Sequence, residues 1–183
     1  MARTGDKKGK ILVAAKLLIL RNGLRGTSME AIARAAGIAK PTLYVQFGDK
    51  EAVFAALIDQ LINEWRAAFL DGLRGEGDVV SRISTAVANK HKAALRLLSG
   101  SPHAEELSGE QDRLAAAPFR AFEAEVTGAI ERELTLAGAA RPRPLAQMLL
   151  AAAAGISGKV QSVAELGPAI RLLTERLLRP DLP

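Results

Sequence analysis

With 183 residues, 49% hydrophobic and 25% charged, the chain can form one large domain or two small ones sharing an interface. It has no cysteine, which excludes disulfides and thiolate metal sites and fits a reducing cytosol. The net charge of +5 is segregated: residues 1–50 hold ten Lys/Arg against three Asp/Glu, and residues 51–183 hold fifteen against seventeen. A basic head on a near-neutral body is the footprint of a polyanion binder, although charge alone does not name the polyanion.

Lys7, Lys8 and Lys10 ahead of the apolar run Ile11–Leu20 mimic an export signal. Lys16 interrupts the run and Arg21-Asn22-Gly23 replaces a small-residue cleavage site, so a cytoplasmic protein is expected. No window reaches the length of a membrane span. Alanine and leucine are abundant and period-two alternation is missing, so the fold reads as all-α: a three-helix N-terminal head with a helix-turn-helix, then a larger helical body.

The first helix is expected from about Lys7 to Asn22, burying Ile11, Ala15, Leu18 and Ile19 and stopping at Gly23. Thr27-Ser28-Met29-Glu30 reads as a capping box with Thr27 at the N-cap, opening a helix that buries Met29, Ile32, Ala33 and Ala36 and ends at Gly37. A short helix starts near Ala39-Lys40-Pro41, where proline is tolerated, and buries Ile38, Leu43 and Phe47. Asp49 caps a fourth helix running to about Leu73, with the stripe Val53, Phe54, Leu57, Ile58, Leu61, Ile62, Trp65 and Phe69. Val79–Leu98 is a helix, residues 99–109 a turn-rich segment, and residues 112–137 a long helix kinked at Pro118. Leu145–Val163 and Gly167–Leu178 complete the set.

Two helices joined by a short glycine-containing turn, the second short and basic at its start, describe a helix-turn-helix. Such a second helix enters the major groove N-terminus first. Lys40 and Thr42 supply a charge and a hydroxyl there, and Tyr44 and Gln46 add longer polar tips. The Gln46 amide can pair bidentately with adenine. Lys50, at the next helix start, can neutralise a phosphate. A lysine is unfavourable at that end of a helix unless an anionic partner removes the conflict.

Ala31-Ile32-Ala33, then Ala36-Gly37-Ile38, then Thr42-Leu43-Tyr44-Val45-Gln46-Phe47-Gly48-Asp49-Lys50-Glu51-Ala52 closely resemble the signature of the TetR family of transcriptional regulators. The resemblance covers roughly residues 10–60. It implies backbone-phosphate contacts from Thr27 and Ser28, DNA contacts from Lys40, Pro41, Thr42 and Tyr44, and a phosphate contact from Lys50. Two departures stand out: Ala39 replaces a frequent serine, removing a cap, and Val45-Gln46 replaces a common aromatic-histidine pair. The base preference is therefore not carried over with the docking frame.

The division expected is residues 1–50 as helix-turn-helix DNA-binding domain and 51–183 as effector-binding and dimerisation domain. Readers of this kind bind two half-sites as symmetric dimers. The last two helices, about 145–163 and 167–178, are the candidate homodimer face. Ala151–Gly158 offers small side chains for close approach, and Ile170, Leu173, Leu177 and Leu178 repeat apolar residues. The stripe through Val87 and His91, with Trp65, Phe69, Phe119, Phe122 and Val126, outlines a pocket for a small apolar effector; the plainer reading of His91 is a hydrogen-bonded core histidine. No phosphate loop, nucleophile motif or metal-ligand cluster appears, so neither enzymatic activity nor a cofactor is expected. The function expected is a homodimeric repressor, bound to a double-stranded DNA operator and released by an effector. The alternatives are an activator, a DNA binder with no effector, or an all-α module whose basic head binds RNA or an acidic protein.

Overall fold

A computed structural model describes residues 3–98, 100–160 and 162–183. The elements among them are helices: α1 Arg3–Asn22, α2 Met29–Ala35, α3 Lys40–Gln46, α4 Lys50–Arg74, α5 Val79–Leu98, α6 Ala104–Leu114, α7 Ala116–Leu136, α8 Pro142–Ser157 and α9 Val163–Leu178, with a short 3-10 turn at Arg179–Asp181. The fold is all-α, as the missing period-two pattern predicts. No helix among the described residues is long and apolar enough to cross a membrane.

Two compact units divide the chain. One comprises residues 1–61 and 98–118, the other 62–97 and 119–183. In the first, Ile11, Ala15, Ile19, Ile32, Leu43, Val53 and Phe54 form the core beneath α1–α3. Leu18, Ala36 and Ile38, expected inside, are only half-buried. α6 belongs to this unit. The Ser101 hydroxyl donates to the Leu20 carbonyl at 2.7 Å, Glu106 accepts the Arg25 amide at 3.0 Å, and Arg113 donates to Glu51 at 2.7 Å.

In the second unit Trp65, Phe69, Val80, Ile83, Val87, Phe122, Val126 and Ile130 are buried, and α8 packs on α9. A Cβ at Gly72 would lie 2.6 Å from the Ala86 backbone, so glycine alone permits this approach of α4 and α5.

Several boundaries differ from those the sequence predicts. Residues 104–114 form a helix rather than turns: Glu105 and Glu106 lie in its first turn, where carboxylates favour the helix dipole. The lone Gly109 inside it costs only about 1 kcal/mol, too little to break it. Ser99, where the turn-rich segment was expected to open, lies outside the described residues. Pro118 does not kink a long helix. The chain breaks at Ala115, and Pro118 sits in the first turn of α7, where its missing amide has no intrahelical acceptor. α8 begins three residues early, on Pro142, and ends at Ser157 rather than Val163, with Gly158 as its C-cap. α9 begins at Val163, because the Ser162 hydroxyl caps it, accepting the Glu165 amide at 3.4 Å and donating to the Glu165 carboxylate at 2.8 Å.

Candidate nucleic-acid interface

The turn between α2 and α3 is fixed by backbone geometry. Gly37 has φ +65°, the Ile38 amide donates to the Ala33 carbonyl at 3.0 Å, and the Gly37 amide donates to Arg34 at 3.2 Å. This crossed pair is the Schellman arrangement, which satisfies the last carbonyls of α2 and turns the chain sharply. It orients α3 so that Leu43 and Phe47 point into the core while Pro41, Tyr44 and Val45 face outward.

The cap of α2 lies one residue later than the sequence predicts. Ser28 is the N-cap, and its hydroxyl accepts the Ala31 amide at 3.1 Å. Thr27 is only 3% exposed, and its hydroxyl donates to the Gly23 carbonyl at 2.7 Å. Glu30 does not reach back to Thr27; it forms an ion pair with Lys40 across the turn. That pairing raises Lys40 above the ordinary lysine value and lowers Glu30 below the ordinary glutamate value, chiefly through the hydrogen bond they share. The Lys40 ammonium also lies 5.8 Å from the Tyr44 ring centre. At the N-cap of α3, Ala39 makes no side-chain hydrogen bond, the consequence expected of its replacing serine.

Lys50 is half-buried. Its ammonium donates to the carbonyls of Leu24, Arg25 and Thr27 at 3.0, 3.3 and 3.4 Å. These oxygens offset the unfavourable position of a cation at the start of α4 and tie that helix to the turn preceding Ser28. Asp49 caps the same helix as predicted, accepting the Ala52 amide at 2.7 Å. Among the predicted contact residues, Ser28, Lys40, Pro41 and Tyr44 are exposed, Thr42, Gln46 and Lys50 half-buried, and Thr27 buried.

Sequence reasoning missed Glu30 as the partner of Lys40 and Glu106 as the acceptor for Arg25. Neither separation matches a helical repeat, so only the tertiary turn reveals them. It also left Val45 out of the contact set, although Val45 is 82% exposed.

The predicted effector-pocket residues all fall in the second unit. Trp65 and Phe119 meet edge to face, with ring centres 6.3 Å apart. Phe122 is fully buried, with Arg66 and Lys90 over its ring at 5.6 and 5.7 Å. These cations pair with Glu125 and Glu123 at 2.9 and 2.6 Å. Phe69, Val87 and Val126 are buried. His91 is 8% exposed, and its Nε2 has no hydrogen-bond partner among the described residues. Burial, and then the neighbouring Lys90 charge, lowers it to about 4. Two recesses are described elsewhere, one along Val13 and Leu17 of α1 and one around Met148 and Leu177. No group of three or more metal-ligating side chains occurs among the described residues.

The geometry is that of a helix-turn-helix head carried by an all-helical chain. Residues 11–57 match the model of the family described as bacterial regulatory proteins, tetR family. The HTH-type transcriptional regulator EthR of Mycolicibacterium smegmatis is 38% identical over 64 residues, covering 35% of this chain and 30% of that protein. The HTH-type transcriptional regulator RutR of Escherichia coli is 39% identical over 61 residues, 33% of this chain and 29% of that protein. The chain thus spans about 30% of the length of these relatives, confined to the head. The body is matched by fold alone. A transcriptional regulator from Cytophaga hutchinsonii superposes with a TM-score of 0.76 at 19% identity over 94% of this chain and 97% of that one. A TetR/AcrR-family regulator from Thermobifida fusca gives 0.72 at 24% identity over 92% and 96%. Residues 11–57 thus carry the sequence signature of the tetR-family head, and the chain as a whole shares the fold of these solved regulators.

Proposed function

We propose that the protein is a cytoplasmic, homodimeric transcriptional regulator, without enzymatic activity, that binds a double-stranded DNA operator as a repressor and is released by a small-molecule effector. The observation that carries this reading is the head. The glycine turn of α2–α3 directs an exposed face of α3 outward from the basic quarter of the chain, within the segment that matches the family model. Residues 1–50 act as the DNA-binding domain and residues 51–183 as the effector-binding and dimerisation domain.

In the bound state α3 lies in the major groove, with Pro41, Thr42, Tyr44 and Gln46 at base edges or the adjoining backbone. Ser28 and the start of α2 meet one phosphate. Lys40 exchanges Glu30 for another, which is a modest change because both sites are exposed and screened. Thr27 and Lys50 act mainly by holding the turn that presents Ser28, with the Lys50 ammonium adding charge beneath the phosphate.

Dimerisation through α8 and α9 is supported by their outward stripes. Met148, Ala151 and Gly155 on α8, and Ala164, Pro168 and Leu172 on α9, are exposed and apolar or small. An apolar effector among Trp65, Phe69, Val87, His91, Phe119, Phe122 and Val126 is supported by the unpartnered His91 Nε2 and by the burial of Trp65, Phe69 and Phe122 in the same unit. A ligand acceptor group would satisfy it in the NH tautomer and a ligand donor in the other.

The test is binding to the promoter DNA adjoining its own gene. Lys40→Ala with Tyr44→Ala should abolish preference for that DNA over a scrambled duplex while leaving helical content and self-association unchanged. Persistence of the preference contradicts the site, and equal affinity of the unaltered protein for both duplexes contradicts the function.

A further inference from the structure

Val45 is the most exposed apolar side chain of α3, at 82% against 43% for Tyr44. It shares one face of the helix with Pro41 and Tyr44, at the i, i+3, i+4 spacing that aligns side chains along a helix. All three are exposed, whereas Thr42 and Gln46 are half-buried on the flanks. Lys40, the sole cation in α3, is held by Glu30. The foremost surface of the helix is therefore uncharged and largely apolar. A β-branched side chain in a helix is confined nearly to one rotamer, so the two Val45 methyl groups stand in fixed positions with little entropy left to lose on contact.

In the major groove the one apolar base feature is the 5-methyl group of thymine, which distinguishes it from both cytosine and uracil. We propose that Val45 is a specificity-determining residue that reads a thymine 5-methyl group in each half-site. The proposal rests on the reading of the head as a DNA reader.

The test begins with duplexes enriched by the protein from a randomised pool. Each half-site thymine is then replaced singly by deoxyuridine, which keeps the base pair and removes only the methyl group. The protein should lose affinity on the order of three- to fivefold at one thymine per half-site, the worth of one buried methyl group. Val45→Ala should bind thymine and uracil duplexes equally at that position while still responding normally to changes elsewhere. Three results overturn the proposal but leave DNA recognition intact: indifference of the unaltered protein to uracil at every position, an equal loss in Val45→Ala, or enriched half-sites containing no thymine. Failure to enrich any sequence overturns both this inference and the function it rests on.

Discussion

His91 concentrates several physical effects in one side chain. It is nearly buried, its Nε2 has no partner among the described residues, and Lys90 precedes it, so the neutral ring is strongly favoured in the native state. The native value of about 4 lies below the ordinary 6.5. Protonation therefore favours the unfolded chain. Full stability is present above about pH 6.5 and is lost as the pH falls toward about 4, by on the order of 2–3 kcal/mol. Urea denaturation near pH 7 and near pH 4 measures this, and His91→Leu should remove most of the difference. An unchanged pH dependence in the variant would show that other groups carry it. At the same scale, the identity of the anchoring residues was legible: Leu43, Phe47 and the α4 stripe are buried where period and composition put them. Which of two adjacent cap residues would cap was not, because Thr27 and Ser28 are both competent and only burial of Thr27 against Gly23 decides between them.

Among the elements, the α2–α3 turn is the one on which the interface depends. A Cβ at Gly37 would meet nothing within 4 Å, so the cost of a side chain there is conformational. Gly37→Ala should destabilise the protein by about 1–2 kcal/mol, the penalty for a left-handed residue bearing a Cβ, as read from urea midpoints. No loss would mean that the turn relaxes to another geometry. This turn was visible in the sequence because its glycine is local chemistry. α6 was not, because its signals conflicted: Gly109 and the preceding turn residues argued for a loop, while first-turn carboxylates and contacts with Arg25 and Glu51 argue for a helix. The start of α9 has a local signal, the capping Ser162 with Glu165 three residues on, which competes with the helix-breaking character of Gly167 and Pro168. Contacts between segments far apart in sequence, such as Arg25 with Glu106, had no local signature at all.

For the whole molecule, charge separates the functions. The basic first quarter carries the exposed face of α3, and the near-neutral remainder carries the exposed stripes of α8 and α9. If those stripes pair two copies, the protein should sediment as a dimer at micromolar concentration, and Leu172→Arg with Met148→Arg should yield a folded monomer. A monomeric unaltered protein would contradict the dimer, and with it the two-half-site geometry.

The central claim, that the head reads DNA, is tested most directly by titrating the protein against its promoter duplex over a range of salt concentrations. Specific binding should weaken steeply, log K falling linearly with log salt as the phosphate contacts displace counterions. The Lys40→Ala, Tyr44→Ala double variant should bind that duplex no more tightly than a scrambled one. Binding insensitive to salt, or identical for the two duplexes in the unaltered protein, would contradict the account.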